Sequence, residues 1–125
     1  MTIKQIEVTV GDIARGYINS EEQGVRGYGG QLDIRPPYQR EFIYNEKEQQ
    51  AVISTVLKGY PLNVMYWVRR SEDAECPYEV MDGQQRTLSL CEYVDGKFAY
   101  DFKNFFNQPA DIQKLILDYP LTIYL

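Results

Sequence analysis

At 125 residues, 44% of them hydrophobic, the chain has material for one domain with one real core and too little for two. Its formal charge of −5 and a pI near 4.7 remove the basic excess from which DNA binders draw sequence-independent affinity, although 13 Lys and Arg leave room for a local cluster that takes a small anion. Histidine is absent, which excludes Ser-His-Asp and Cys-His nucleophile systems, imidazole zinc sites and His-metal nuclease centres; any catalysis must rest on carboxylates, Arg, Lys, Tyr or a bound metal.

The chain opens with an alternating segment, Ile3 to Val10, that reads as a short strand or extended arm, and Thr9 can cap a short helix from Val10 to about Gly16. From Ile18 to Gln31 it turns polar and glycine-rich, with Gly24, Gly27, Gly29 and Gly30 close together, the composition of a mobile loop or hairpin tip. Leu32 to Arg35 is a second extended piece, kept extended by Pro36-Pro37. Asn45 with Glu48 is a capping-box start, and Ala51, Val52, Ile53, Val56 and Leu57 give an apolar face to a helix from Glu46 to Lys58, stopped by Gly59. Beyond Pro61, Val64 to Val68 has the composition of a buried central strand, Ser71 to Pro77 of a charged connection, and Tyr78 to Met81 of a partner strand leading into Asp82-Gly83.

Leu88, Cys91 and Val94, supported by Leu90, recur at helical spacing from Gln84 to Val94, and Asp95-Gly96 ends that helix. Lys97 to Phe102 reads as another strand, and Asn107, Pro109 and Ala110 open a last helix through about Asp118. Leu121 to Leu125 closes the sequence as an apolar strand, readable equally as an edge strand or as the point from which a further domain continues. Strands interleaved with helices give an α+β or α/β domain, expected as a small mixed sheet with helices. In that sheet Trp67 and Val64 are expected to lie buried between the helix at 46–58 and the helix after Arg86. The two cysteines, Cys76 and Cys91, lack metal-ligand spacing and read as reduced thiols. No apolar run reaches the roughly 18 to 20 residues needed to span a bilayer, and Met1-Thr2-Ile3-Lys4 lacks a signal peptide's apolar core, so a cytoplasmic location with no membrane partner is expected.

The sharpest local signal is Met81-Asp82-Gly83-Gln84-Gln85-Arg86-Thr87, a strand that ends on a carboxylate, turns through glycine and enters an amide-rich helix. In outline this is an anion site: helix-start N–H groups point outward, the dipole adds partial positive charge, Gly83 allows close backbone approach, and Arg86 can fork onto a phosphate. Asp82 is then placed to hold magnesium, and Gln84 and Gln85 to meet a ribose, a base edge or water. Spacing alone favours the ordinary alternative, in which Asp82 caps the helix and Arg86 pairs with Asp82 or Glu79. Asp33-Ile34-Arg35-Pro36-Pro37-Tyr38-Gln39-Arg40 likewise reads in isolation as a rigid lead into the next helix, and otherwise as a second basic arm facing the first motif.

Taken together, Ile34-Arg35-Pro36-Pro37-Tyr38-Gln39-Arg40, Val56-Leu57-Lys58-Gly59-Tyr60-Pro61-Leu62 and Asp82-Gly83-Gln84-Gln85-Arg86-Thr87-Leu88 resemble the ParB/sulfiredoxin-like amino-terminal domain of GmrSD-type modification-dependent restriction systems, over about Val8 to Val94. The resemblance implies a single ParB/sulfiredoxin-like α+β domain over 1–125, the amino-terminal part of a longer protein, acting in phage defence. It implies nucleotide binding and hydrolysis that depend on Asp82, Gln84, Gln85 and Arg86, with Asp82 as the metal ligand. Gly83, Thr87, Arg35, Tyr38, Gln39 and Arg40 would line the same cleft, and Mg2+ with a nucleoside triphosphate would be the cofactors. Many members of that family carry a carboxy-terminal His-metal nuclease, which a chain without histidine does not supply. Contact with modified DNA and its cleavage therefore fall to another region or a partner subunit. Three readings stay open: an NTP-hydrolysing regulatory domain, a sensor that does not turn over, and an interaction module in which the DGQQR block only braces the fold. The 11 tyrosines and Trp67 could stack bases, although most are expected in core or rim.

Overall fold

The computed structural model describes residues 4–20, 22, 24–35, 45–70 and 75–125, apart from the side chain of Arg35. Strand β1 (Gln5–Thr9) runs straight into helix α1 (Val10–Ala14) through a capping box: Asp12 N donates to Thr9 Oγ1 at 3.1 Å and Thr9 N donates to Asp12 Oδ2 at 3.0 Å. Next come β2 (Ile18–Ser20), β3 (Gly24–Gly27) and β4 (Leu32–Arg35), then α2 (Glu46–Leu57), whose Asn45 and Glu48 form the second capping box. After β5 (Met65–Arg69) and β6 (Tyr78–Asp82) the chain enters α3 (Gln84–Val94), passes a single 3-10 turn at Phe105–Asn107, and finishes with α4 (Ala110–Leu117) and β7 (Pro120–Tyr124).

The strands form one mixed sheet of seven in the order β1-β7-β5-β6-β4-β3-β2, so the fold is α+β. Pairing is antiparallel except at β5/β7 and β4/β6. The helices pack against one another over one face of this sheet, and the strand residues turned toward them, among them Leu32, Met65, Trp67, Val80, Leu121 and Ile123, are buried. Burying apolar area at about 25 cal/mol per Å² drives this layering. α3 lies at the centre of the helical layer: Thr87, Leu88, Ser89, Leu90 and Cys91 are all buried. Its buried Thr87 and Ser89 hydroxyls are satisfied locally, Thr87 Oγ1 donating to Gly83 O and Ser89 Oγ to Gln85 O, both at 2.8 Å.

Three expectations need correction. The glycine-rich stretch 18–31 forms a hairpin tip only at 28–31 and otherwise contains two paired strands, and Gly27 is there for packing: a Cβ on it would stand 2.5 Å from Ile13 O and 3.2 Å from Ile34 Cδ1, where α1 closes on the sheet. Lys97 to Phe102 is no strand. The alternating aromatics Phe98 and Tyr100 pack onto the core instead, with Phe98 against the ring of Tyr93 at 5.4 Å, and the chain reverses at Asp101-Phe102 within a lone Tyr100/Lys103 bridge. Trp67 is buried as expected, with Tyr28 (5.4 Å) and Tyr78 (5.7 Å) as ring neighbours, but Val64 is only half-buried and precedes the strand. A smaller shift is that α1 stops at Ala14, while α4 begins at Ala110 as expected, after a separate turn capped by Asn104.

Candidate functional site

β4 and β6 are neighbours and parallel, with Leu32 opposite Tyr78 and Asp33 opposite Glu79. Their carboxyl ends therefore lie along the same edge of the sheet. In open sheets that mix strands and helices, such an edge at the carboxyl ends of parallel strands is where ligands settle. The segment carrying Tyr38, Gln39 and Arg40 lies outside the described residues, as does the side chain of Arg35.

Asp82 closes β6 with an exposed carboxylate. Its register is unusual: Tyr66 is opposite Asp82 but Trp67 is opposite Val80, so Met81 is an extra residue in the ladder. A bulge of this kind re-aims the side chains beside it. Gly83 then takes φ +100° and ψ 16° as the N-cap of α3, a left-handed conformation followed at once by right-handed helix. That succession turns consecutive N–H groups to one side, and Gly83 brings no side chain to cap them. Glycine is also required for space, because a Cβ would stand 2.7 Å from Met65 Cγ. Met81 through Arg86 line a hollow of about 270 Å³ at this helix start.

The other members of the block divide by what they touch. Gln84 and Gln85 are half-buried at the wall of the hollow. Thr87 is turned inward, its hydroxyl on Gly83 O and 3.3 Å from Met65 Sδ, so it holds the turn from below and offers no side-chain contact to the hollow. Arg86 is mostly buried and already engaged: Nη1 donates to Asn63 O at 2.7 Å, Nη2 donates to Val64 O at 3.4 Å, and Nη2 lies 3.8 Å from Asp82 Oδ2. The arginine therefore ties the loop before β5 to the start of α3, while its charge stays at the wall of the hollow. The alternative partner Glu79 belongs to Arg70 (4.0 Å), which also binds the buried Asp33 at 3.1 Å. Nothing in the sequence marks Asn63 and Val64 as partners, since they contribute only backbone carbonyls.

A lone exposed carboxylate beside a helix start suits magnesium, which keeps several waters and arrives through one or two carboxylates plus substrate phosphates. No cluster of three His, Cys, Asp or Glu side chains occurs among the described residues. A second hollow of about 410 Å³ is walled by Tyr17, Asn19, Glu92, Asp95 and Lys97. Burial pushes the Glu92 carboxyl up, and Asp95 adds to this while Tyr17 and Lys97 oppose it. With two acids to one lysine, that hollow repels phosphate. Burial also raises both thiols, Cys91 furthest, so neither is an activated nucleophile.

The domain is thus a seven-stranded α+β fold with a strand-glycine-helix turn and a basic side chain at the ends of two parallel strands. The sequence profile of the GmrSD restriction endonuclease N-terminal domain matches residues 15–122. The chain belongs to that family, and thereby to a restriction system with a partner nuclease domain. No curated protein and no solved structure matches it. No helix of the described residues is long and apolar enough to cross a membrane.

Proposed function

We propose that the domain binds a nucleoside triphosphate with Mg2+ at the start of α3 and serves as the nucleotide-handling, regulatory part of a modification-dependent restriction system. The observation that carries the reading is Gly83, left-handed and wedged against Met65, which opens the α3 N-terminus onto a hollow with Asp82, Gln84 and Gln85 at its wall. In this proposal the helix-start N–H groups take the phosphate oxygens, Asp82 holds the metal, and Gln84 and Gln85 orient water or the ribose. Arg86 contributes positive charge from its place on the 63–64 carbonyls. Arg35, Tyr38, Gln39 and Arg40 are included in the proposed site because they follow in sequence on β4, which is parallel to β6. The ParB/sulfiredoxin-like character of the domain and its part in phage defence belong to the same proposal, as do action on modified DNA through a nuclease domain or subunit and a cytoplasmic location.

One observation favours the reading in which the block is structural: Arg86 already donates to the Asn63 and Val64 carbonyls. Fast phosphoryl transfer demands that metal, leaving oxygen and water be held within tight tolerances, which a shallow hollow does not impose by itself. The domain alone is therefore expected to bind a triphosphate weakly and to hydrolyse it slowly or not at all. Calorimetric titration with each nucleoside triphosphate and Mg2+, beside a phosphate-release assay, tests this. Absence of binding to a well-folded domain overturns the nucleotide reading, and fast turnover by the domain alone overturns the regulatory one.

A further inference from the structure

The face of the sheet away from the helices is not uniform. Its β3–β6 half is charged, carrying Arg26, Asp33, Glu79 and Arg70. Its other half carries a pair of tyrosines among mostly uncharged residues. Tyr66 on β5 is opposite Asp82 on one side and Tyr124 of β7 on the other, and Gln5 of β1 is opposite Tyr124. Side chains of directly opposed residues stand on the same face, so Asp82, Tyr66, Tyr124 and Gln5 form one row across four strands. The row begins at the hollow itself, since Asp82 is part of its wall. The bulge at Met81 brings this about, shifting the register by one so that Asp82 rather than Met81 stands opposite Tyr66.

Tyr66 is 42% exposed, and its ring meets that of Tyr124 edge to face, centroids 5.4 Å apart and planes at 65°. Neighbouring Met65 and Trp67 fill the core, so Tyr66 is not needed there. An edge-to-face pair leaves a ring face open, which is the geometry that accepts a third flat ring. The first tyrosine stands one strand spacing, about 4.8 Å, from Asp82 and the second stands one spacing further. A ligand whose phosphates sit at Gly83 to Gln85 would carry its base outward along this row. The chain is acidic, with net charge −5, so electrostatics alone gives little hold on a polyanion, and an apolar contact must supply affinity.

From this row we propose that Tyr66, backed by Tyr124, is the shelf on which the nucleobase stacks, with any base accepted because every base presents a π-face. This rests on the nucleotide reading of the α3 start, and the test separates the two. Wild type, Tyr66→Ala and Tyr66→Phe, each the full 125-residue chain, are titrated with the four nucleoside triphosphates and with inorganic tripolyphosphate, all with Mg2+. The shelf predicts that wild type binds every nucleotide more tightly than tripolyphosphate. It also predicts that Tyr66→Ala loses about tenfold or more on nucleotides and nothing on tripolyphosphate, and that Tyr66→Phe stays within about twofold. Unchanged tripolyphosphate binding doubles as proof that the variant is folded. Equal losses on both ligands make Tyr66 a brace for the hollow and overturn the shelf. Nucleotides binding no better than tripolyphosphate overturn it while leaving the anion site standing. Binding of neither ligand by wild type overturns both.

Discussion

Arg86 is the residue on which the binding and bracing readings part most clearly. Replacing it by alanine removes a 2.7 Å charge-assisted hydrogen bond to Asn63 O, a long 3.4 Å contact to Val64 O and a 3.8 Å pairing with Asp82. The first is of the kind that contributes about 1.5–3 kcal/mol. The pairing adds close to nothing, because the Asp82 side chain is 65% exposed and solvent screens it. Asn63 is exposed, so water takes over part of the lost bond, and a net loss of about 1.5–2 kcal/mol follows. For a domain of this size that lowers Tm by about 5–8 °C. Arg86→Lys, which keeps the charge but reaches one carbonyl at a time, should fall about midway. Differential scanning calorimetry of the three proteins, run beside triphosphate titration at a temperature where all are folded, reads both effects. If Arg86→Ala melts within about 1 °C of wild type, the guanidinium is not a brace and the stability argument fails.

Gly83→Ala places a Cβ 2.7 Å from Met65 Cγ at φ +100°, so about 2–4 kcal/mol of stability should be lost, seen as a lower urea midpoint; an unchanged midpoint would mean the turn relaxes freely. Burial holds the Glu92 carboxyl above the usual carboxylate range, so the native state binds its proton more tightly than the unfolded chain. Stability is then fully favoured below the unfolded value and declines as pH rises through the folded one. Glu92→Gln should therefore melt above wild type at pH 7.5 and match it near pH 4, and an equal gap at both pH values would rule out titration as the cause. Phe102 is 99% exposed at φ +66°, with Asp101 before it at φ +52°, the two-residue hairpin conformation that favours Asn-Gly. Phe102→Gly should raise stability by about 0.5–1 kcal/mol in thermal melts, since no burial is lost; a drop would show that the ring is held by something in solution.

Legibility followed the nature of the signal. Helices with a strong local start, at Thr9 and at Asn45 with Glu48, are readable because the capping residues touch backbone only three positions away. The turn at Asp82-Gly83 is readable for another local reason, glycine's freedom to take the left-handed φ of +100°. The 18–31 stretch was not, because glycine serves both mobility and close packing, and only the approach of Ile13 O to Gly27 decides between them. Lys97 to Phe102 fails since alternation at Phe98 and Tyr100 records one buried side but not whether a partner strand exists. At the site, residue types indicated an anion cradle, yet the attachment of Arg86 to the 63–64 carbonyls spans more than twenty positions and leaves no pattern. The row of Asp82, Tyr66 and Tyr124 depends on a one-residue slip at Met81, which no periodicity announces.

β7, the last strand in sequence, is not at an edge: it lies between β1, the first, and β5, and Lys4 and Leu125 exchange backbone hydrogen bonds at 3.0 and 2.8 Å. Synthesis on the ribosome runs from one end, so β1 emerges first and must wait without a neighbour until the final residues of this domain clear the exit tunnel. The β2–β6 portion can pair earlier, but the sheet cannot be completed progressively. Folding is thereby deferred to a single closing event, and a nascent chain stalled anywhere before Pro120 presents both β1 and β5 as open ladders to chaperones or to neighbouring chains on the same polysome.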